Sequence, residues 1–357
     1  MLHSIIVGSG KHLPPFRATN QDIANFFPQP DGYRWTPEWV EEKLGIQERR
    51  NAFDFKAGEL RSGFHDIDNA TQAALRALQR AGMHPTELDG VIYATSTPEY
   101  LMPDPACILH MRIGMRQDAY AIGFTTVGCG GFIYAMDLAD SDIRAGKAMK
   151  VLVVGSVVVG PYINAAHQIA DAAERERQLR LGLSNVFIFG EGAGALILQA
   201  TDHENVGILH TFRGAWGYGN PVTFVAGGSR HPATHETVRQ GLHRFDMNSR
   251  LVRQFGPELF ARTLKVLEYA DMKLRDVDCF IFHQVNRRML SALAKQLEID
   301  ERRMVVHVDL YGNLDTATLP VAYDEAVSDG RIGSGDTILM AAIGAGWQYG
   351  SAVIRLP

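Results

Sequence analysis

Residues 74–95 read ALRALQRAGMHPTELDGVIYAT, and residues 263–284 read TLKVLEYADMKLRDVDCFIFHQ. Each begins with apolar residues at helical spacing, passes through a polar turn, and ends in a short β-rich run. Leu88-Asp89 and Val277-Asp278 fall at matching places just before the strand. A second pair follows at a similar offset. Arg144-Ala145-Gly146 leads into Val151-Leu152-Val153-Val154-Gly155, and Arg331-Ile332-Gly333 leads into Ile338-Leu339-Met340-Ala341-Ala342. Helices alternating with nearly continuous apolar strands are the pattern of parallel sheets covered on both faces. The echo predicts a duplicated α/β unit with pseudo-twofold symmetry, divided into halves at 1–200 and 201–357. Between the repeats, the Glu-, Arg- and Gln-rich residues 164–183 predict a helical surface insertion. Residues 215–245, rich in Gly, Pro, His and Thr, predict a long loop of the kind that carries function.

Composition narrows the class. The chain has 357 residues, 46% hydrophobic and 9% aromatic, which is ample for a large buried core and unlike a disordered chain. A formal net charge of −5 gives no basic stripe for nucleic acid. Three cysteines, Cys107, Cys129 and Cys279, cannot form a disulfide framework and suit a reducing compartment. No basic leader opens the sequence and no apolar run of about 18 residues occurs, so the expectation is a cytoplasmic protein without a membrane span. No His, Cys or Asp cluster has metal-ligand spacing, and no metal is expected.

Cys129 lies in Thr125-Thr126-Val127-Gly128-Cys129-Gly130-Gly131-Phe132, after the strand-like Ala119-Tyr120-Ala121-Ile122 and before a helical stretch running through Leu138. A sulfur at the amino end of a helix gains from the dipole and unpaired N–H groups, which lower its pKa. The expectation is a thiolate suited to thioester exchange. Cys107, inside the helical Ala106-Cys107-Ile108-Leu109, and Cys279, opening a strand, are expected to be small buried hydrophobes.

His283 ends the run Cys279-Phe280-Ile281-Phe282, so it projects from the carboxyl end of a buried strand, where α/β sheets build ligand sites. Asn313 lies in Tyr311-Gly312-Asn313-Leu314-Asp315-Thr316, between the β-rich Val305-Val306-His307-Val308 and a helix expected from Thr316. Taken alone, Gly-Asn is a turn signal. Taken together, a cysteine in one half and a histidine and asparagine in the other can converge on one cleft. Neutral imidazole and carboxamide donors there would stabilise an oxyanion such as a thioester enolate.

Six segments in this order resemble the β-ketoacyl-acyl-carrier-protein synthase III group of the thiolase superfamily. They are Glu38-Trp39-Val40 with Leu44-Gly45-Ile46-Gln47-Glu48-Arg49-Arg50; the Cys129 turn; Phe189-Gly190-Glu191-Gly192-Ala193-Gly194-Ala195; His283-Gln284-Val285-Asn286; Tyr311-Gly312-Asn313; and Gly344-Ala345-Gly346-Trp347-Gln348-Tyr349-Gly350-Ser351-Ala352. The resemblance implies a five-layered αβαβα thiolase fold, a homodimer, and a site at the end of a pantetheine tunnel. It further implies that Cys129 accepts an acyl group from a coenzyme A or acyl-carrier-protein thioester, with these thioesters as substrates and no bound cofactor. His283 and Asn313 would then assist a Claisen condensation, decarboxylative or not, with a malonyl or β-ketoacyl thioester. The backbone N–H groups of Cys129 and Ala345 match the oxyanion hole, Trp39 and Arg288 match positions flanking the nucleotide or pantetheine entry, and Asn286 matches a tunnel residue. Met102 matches a residue that reaches across the dimer to limit the acyl pocket.

The sequence also departs from the group. Lys43 and Leu183 stand where the priming enzymes of fatty-acid synthesis carry arginines for coenzyme A, and a lysine offers only a point charge to phosphate. Thr126-Val127-Gly128 precedes the cysteine in place of alanines, and Leu314-Asp315 follows the asparagine in place of Thr-Ser. These departures point toward a specialised-metabolism relative, such as a polyketide enzyme. Three other readings compete. A 3-hydroxy-3-methylglutaryl-coenzyme A synthase needs a glutamate where this chain has Ala94-Thr95-Ser96. An acyltransferase making esters or amides has no need of Asn313. A silent subunit of a heterodimer would have lost one of the three residues, and all are present.

Overall fold

The computed structural model describes residues 2–27, 35–125, 128–167, 173, 185–217, 219, 222–223, 227–240, 242–243 and 246–357. Two sheets carry the architecture. The first contains β1 (His3–His12), β2 (Gly90–Thr95), β3 (Tyr120–Phe124), β4 (Lys150–Val157) and β5 (Gly192–Thr201), in the spatial order β1-β5-β4-β2-β3. The second contains β6 (Gly207–Ala215), β7 (Cys279–Phe282), β8 (Thr337–Ile343) and β9 (Gln348–Arg355), in the order β6-β9-β8-β7.

Pairing directions repeat from sheet to sheet. β2 and β4 are parallel and β7 and β8 are parallel; β5 runs antiparallel to β4 and β1, as β9 does to β8 and β6. The place of β3 is taken in the second sheet by a single parallel bridge from Phe280 to Met304. The sequence echo is therefore a topological repeat: β2 corresponds to β7, and β4 to β8.

Helices close the sheets into layers. α1 (Asp66–Ala81) presents Ala70, Ala73, Ala74 and Ala77, all fully buried, at helical spacing toward the outer face of the first sheet. Its small face lets β1 approach to backbone distance: a Cβ on Gly8 or Gly10 would stand 2.4 Å from the Ala77 or Ala73 carbonyl oxygen. α2 (Gly131–Arg144) and α4 (Thr318–Ser328) touch both sheets and form the central layer, and α3 (Ser249–Thr263) covers the outer face of the second. The result is the five-layered αβαβα arrangement. Among the described residues no helix is long and apolar enough to cross a membrane.

Three local expectations need correction. Cys107 is exposed on its helix Pro105–Ile113, because the buried positions there are Pro105, Ala106, Leu109 and Ile113. Residues 305–308 do not form a strand; beyond the Met304 bridge the chain turns into the short helix Val308–Tyr311. The main helix after Asn313 starts at Thr318, behind a 3-10 turn at Asp315–Ala317. Of the proposed insertion, 168–172 and 174–183, including Leu183, lie outside the described residues, as do Thr126 and Val127. The segment 215–245, where described, includes a short helix at His235–Arg239 and the strand Val222–Thr223, which pairs with Asp246–Met247.

Candidate active site

The chain passes from β3 to α2 through a 3-10 turn at Gly128–Gly130, and Cys129 sits at its centre. Gly128 has φ 59°, the left-handed region that a glycine enters without strain. Its bare Cα also brings the turn against the 344–347 loop, since a Cβ would meet the Ala345 nitrogen and Cβ at 2.9 Å. Cys129 is half-buried, not sealed, and lines a small cavity of about 50 Å³ with His283, Asn313, Gly344 and Ala345. The structure thus brings together the three residues that the sequence paired across the two halves.

His283 continues from β7, its N–H donating to the Ala341 carbonyl at 2.8 Å on the neighbouring strand. It is 1% exposed, and neither ring nitrogen has a hydrogen-bond partner. Burial, with His307 nearby, lowers its pKa to about 3, so the ring is neutral at physiological pH. Its neighbour Gln284 is structural. Gln284 Nε2 donates to the Val305 carbonyl at 3.0 Å, and its Oε1 accepts from the His307 and Val308 N–H groups at 2.9 Å each.

Asn313 is positioned by the glycine-rich segment of the other half. Its N–H donates to the Ile188 carbonyl at 2.8 Å, and its carbonyl accepts from the Gly190 N–H at 3.1 Å. Only glycine fits at 190, where a Cβ would lie 1.8 Å from the Tyr311 carbonyl oxygen. The Asn313 Oδ1 accepts from the Asp315 N–H at 2.8 Å, which leaves the amide NH₂ to act as donor in the cavity. Glu191 pins the surrounding loops by accepting from the N–H groups of Ala52, Val159 and Gly160. Buried Arg49 donates to the Ala18, Asn20 and Phe187 oxygens. These two motifs build the frame of the site; they do not line the cavity.

One expectation about the cysteine is reversed. Burial, with the adjacent Asp315 carboxylate adding to it, holds the Cys129 thiol well above its usual range, and the local N–H and Asn313 contacts do not outweigh them. The resting sulfur is a thiol, because desolvation and a neighbouring negative charge exceed the pull of one turn of helix.

A second cavity of about 490 Å³ is lined by Trp35, Trp39, Lys43, Arg253, Asn286 and Arg288, among others. Met247, Val252 and Val285 belong to the walls of both cavities, so the larger one adjoins the cavity of Cys129. Trp39 packs against Trp35 at 4.7 Å between ring centroids. Asn286 uses its side-chain oxygen to cap the helix Arg287–Gln296, accepting from the Met289 N–H at 2.8 Å. Arg288 Nε donates to the Glu42 carbonyl, and half-exposed Lys43 pairs with Glu42. Sequence reasoning missed Arg253, Met247 and Val252, which belong to no motif. Met102 is 87% exposed, beside exposed Tyr100 and Leu101, and is not among the residues that line these two cavities. Among the described residues no cluster of three metal-ligating side chains occurs.

Comparisons with known proteins agree with this geometry. Residues 125–217 match the family 3-oxoacyl-[acyl-carrier-protein (ACP)] synthase III, and residues 267–356 match its C-terminal region. The chain is 34% identical to a β-ketoacyl-[acyl-carrier-protein] synthase III of Caldanaerobacter subterraneus subsp. tengcongensis, over 98% of this chain and 97% of that one. It is 35% identical to one of Desulfitobacterium hafniense, again over 98% and 97%. The crystal structure of 3-oxoacyl-[acyl-carrier-protein] synthase III from Aquifex aeolicus superposes with a TM-score of 0.79 at 31% identity, covering 99% of both chains. The chain belongs to the β-ketoacyl-[acyl-carrier-protein] synthase III family of thiolase-fold condensing enzymes.

Proposed function

We propose that the chain carries an acyl group on Cys129, taken from a coenzyme A or acyl-carrier-protein thioester, and condenses it with a second thioester. The convergence of Cys129, His283 and Asn313 on one small cavity, with a larger one adjoining it, carries this reading. During loading, the N–H groups of Cys129 and Ala345 hold the oxyanion of the tetrahedral intermediate. During condensation, the neutral His283 ring and the Asn313 NH₂ stabilise the enolate oxygen of the second thioester. A neutral imidazole suits this task, since it donates a hydrogen bond without needing a proton from solvent.

The outer cavity fits a pantetheine arm and its phosphates. Trp35 and Trp39 give it a flat apolar wall, and Lys43, Arg253 and Arg288 supply positive charge. The exposed apolar loop Tyr100–Met102 supports a homodimer, because water-facing side chains of that size usually mark an interface. The names of the relatives support acyl-carrier protein as one substrate carrier.

Intact mass after incubation with acyl-coenzyme A and acyl-carrier-protein panels tests the reading. An adduct of acyl mass is expected on the native chain and not on Cys129→Ala. Asn313→Ala is expected to load normally and to lose condensation by about 10²-fold or more. An adduct that persists in Cys129→Ala refutes the nucleophile; undiminished condensation in Asn313→Ala points instead to simple acyl transfer to an alcohol or amine.

A further inference from the structure

Asp315 is out of place by every local rule. It is a non-glycine residue at φ 47°, it is 4% exposed, and its Oδ1 has no hydrogen-bond partner. Burying an unmatched carboxyl oxygen costs stability, and a left-handed backbone adds to that. Strain and an orphan polar atom that coincide beside a reactive group are the mark of a functional constraint. The 315–317 turn packs directly on the 128–130 turn that carries Cys129, and the carboxyl lies beside the Cys129 thiol, the Ser96 hydroxyl of the loop after β2 and the Thr316 N–H of its own turn. Asn313 stands on the same loop and takes its orientation from the Asp315 N–H. Among the hydrogen bonds of the described residues none joins Cys129 to His283, whose ring nitrogens are both unpartnered.

We infer that Asp315 is the proton acceptor for Cys129, taking the thiol proton as the sulfur attacks the incoming thioester and returning it to the departing thiol. The inference rests on the acyl-loading reading of Cys129. The step balances without oxidant or reductant. The Sγ–H bond breaks toward an Asp315 oxygen, the sulfur lone pair forms the new S–C bond, and the carbonyl electrons move onto the oxygen held by Cys129 and Ala345. Collapse of that intermediate breaks the bond to the carrier sulfur, which recovers the proton from Asp315. The products are acyl-Cys129 and the free carrier thiol. His283 and Asn313 remain available for the second half-reaction. A resting thiol agrees with this division of labour, since its proton must go to a neighbouring base.

Asp315→Asn and Asp315→Ser, with folding checked by circular dichroism, separate this role from a structural one. Two rates are measured from pH 6 to 9: single-turnover acylation by octanoyl-coenzyme A, followed by quenched intact mass, and alkylation by iodoacetamide. Loss of the base should slow acylation by about 10²-fold at pH 7 and make it climb steadily with pH. Loss of the negative neighbour should move the alkylation midpoint downward. These opposite responses are the expected signature. Acylation at or above the native rate in a folded variant overturns the inference, whatever alkylation does. The native chain gives an arm that needs no substitution: acylation should be slower in D₂O, and a rate equal or faster there overturns the inference even if both variants misfold. An acyl adduct on Cys129→Ala would instead sink the loading reading itself.

Discussion

Gly128→Ala tests the joint between the two halves of the site. The substitution asks alanine to adopt φ 59° and puts its Cβ 2.9 Å from both the nitrogen and the Cβ of Ala345. The left-handed conformation costs alanine about 1–2 kcal/mol, small against the roughly 5–15 kcal/mol that keeps a domain folded. Relief of the contact must come from backbone, because neither the turn nor the 344–347 loop offers a flexible side chain there. Ala345 N–H then shifts by a few tenths of an ångström from its line to the oxyanion, and losing one such donor costs about 10²–10³ in rate. Urea melts should show a loss of about 1–2 kcal/mol. Quenched mass spectrometry should show acyl loading slowed by about 10²-fold with no change in the concentration needed for saturation. Loading at the native rate in a folded, correspondingly destabilised variant would refute the assignment of Ala345 to the oxyanion hole.

Acid stability should report His283. The folded chain keeps it neutral to about pH 3 whereas an ordinary histidine protonates near 6.5, so acid protonates the unfolded chain first and stability falls as pH drops through that window. The loss between pH 6.5 and 5 should be about 1.6 kcal/mol, and denaturant titrations of His283→Gln should lack it. Glu191→Ala strands the buried N–H groups of Ala52, Val159 and Gly160; a stability loss of about 3–5 kcal/mol is expected in urea, and a change under about 1 kcal/mol would contradict the role given to this carboxylate. Arg288→Ala should weaken coenzyme A binding only about three- to fivefold, with the difference shrinking in high salt, because the site is exposed and Lys43 and Arg253 remain; calorimetry at two salt concentrations measures it.

The local code carried a large part of this protein. Helix-strand periodicity and its repetition were enough to anticipate the duplicated α/β unit and its buried strands β2, β4, β7 and β8, because buried parallel strands must be apolar along their whole length, but not the antiparallel partners that make both sheets mixed. Cys129 and His283 were legible since a glycine-flanked cysteine and a strand-terminal histidine break the pattern around them. Asn313 was legible only in company, as Gly-Asn alone marks an ordinary turn. Cys107 was misjudged because a nine-residue helix of mixed apolar residues does not declare which face is covered. Residues 305–308 read as a strand on β-branched content, yet Gln284 captures the His307 and Val308 N–H groups and ends the pairing at Met304.

Sequence by itself determined the α/β plan and picked out Cys129, His283 and Asn313 as candidates, since both are written in short-range spacing and residue type. Only the tertiary structure decided how the site is charged. Asp315 is two residues from Asn313 along the chain, but its place beside Cys129 depends on a turn from the other half packing against it. Desolvation and through-space charge grow from such contacts, which no local pattern encodes. The same holds for the outer cavity, where Trp39, Arg253 and Arg288 meet from three distant segments.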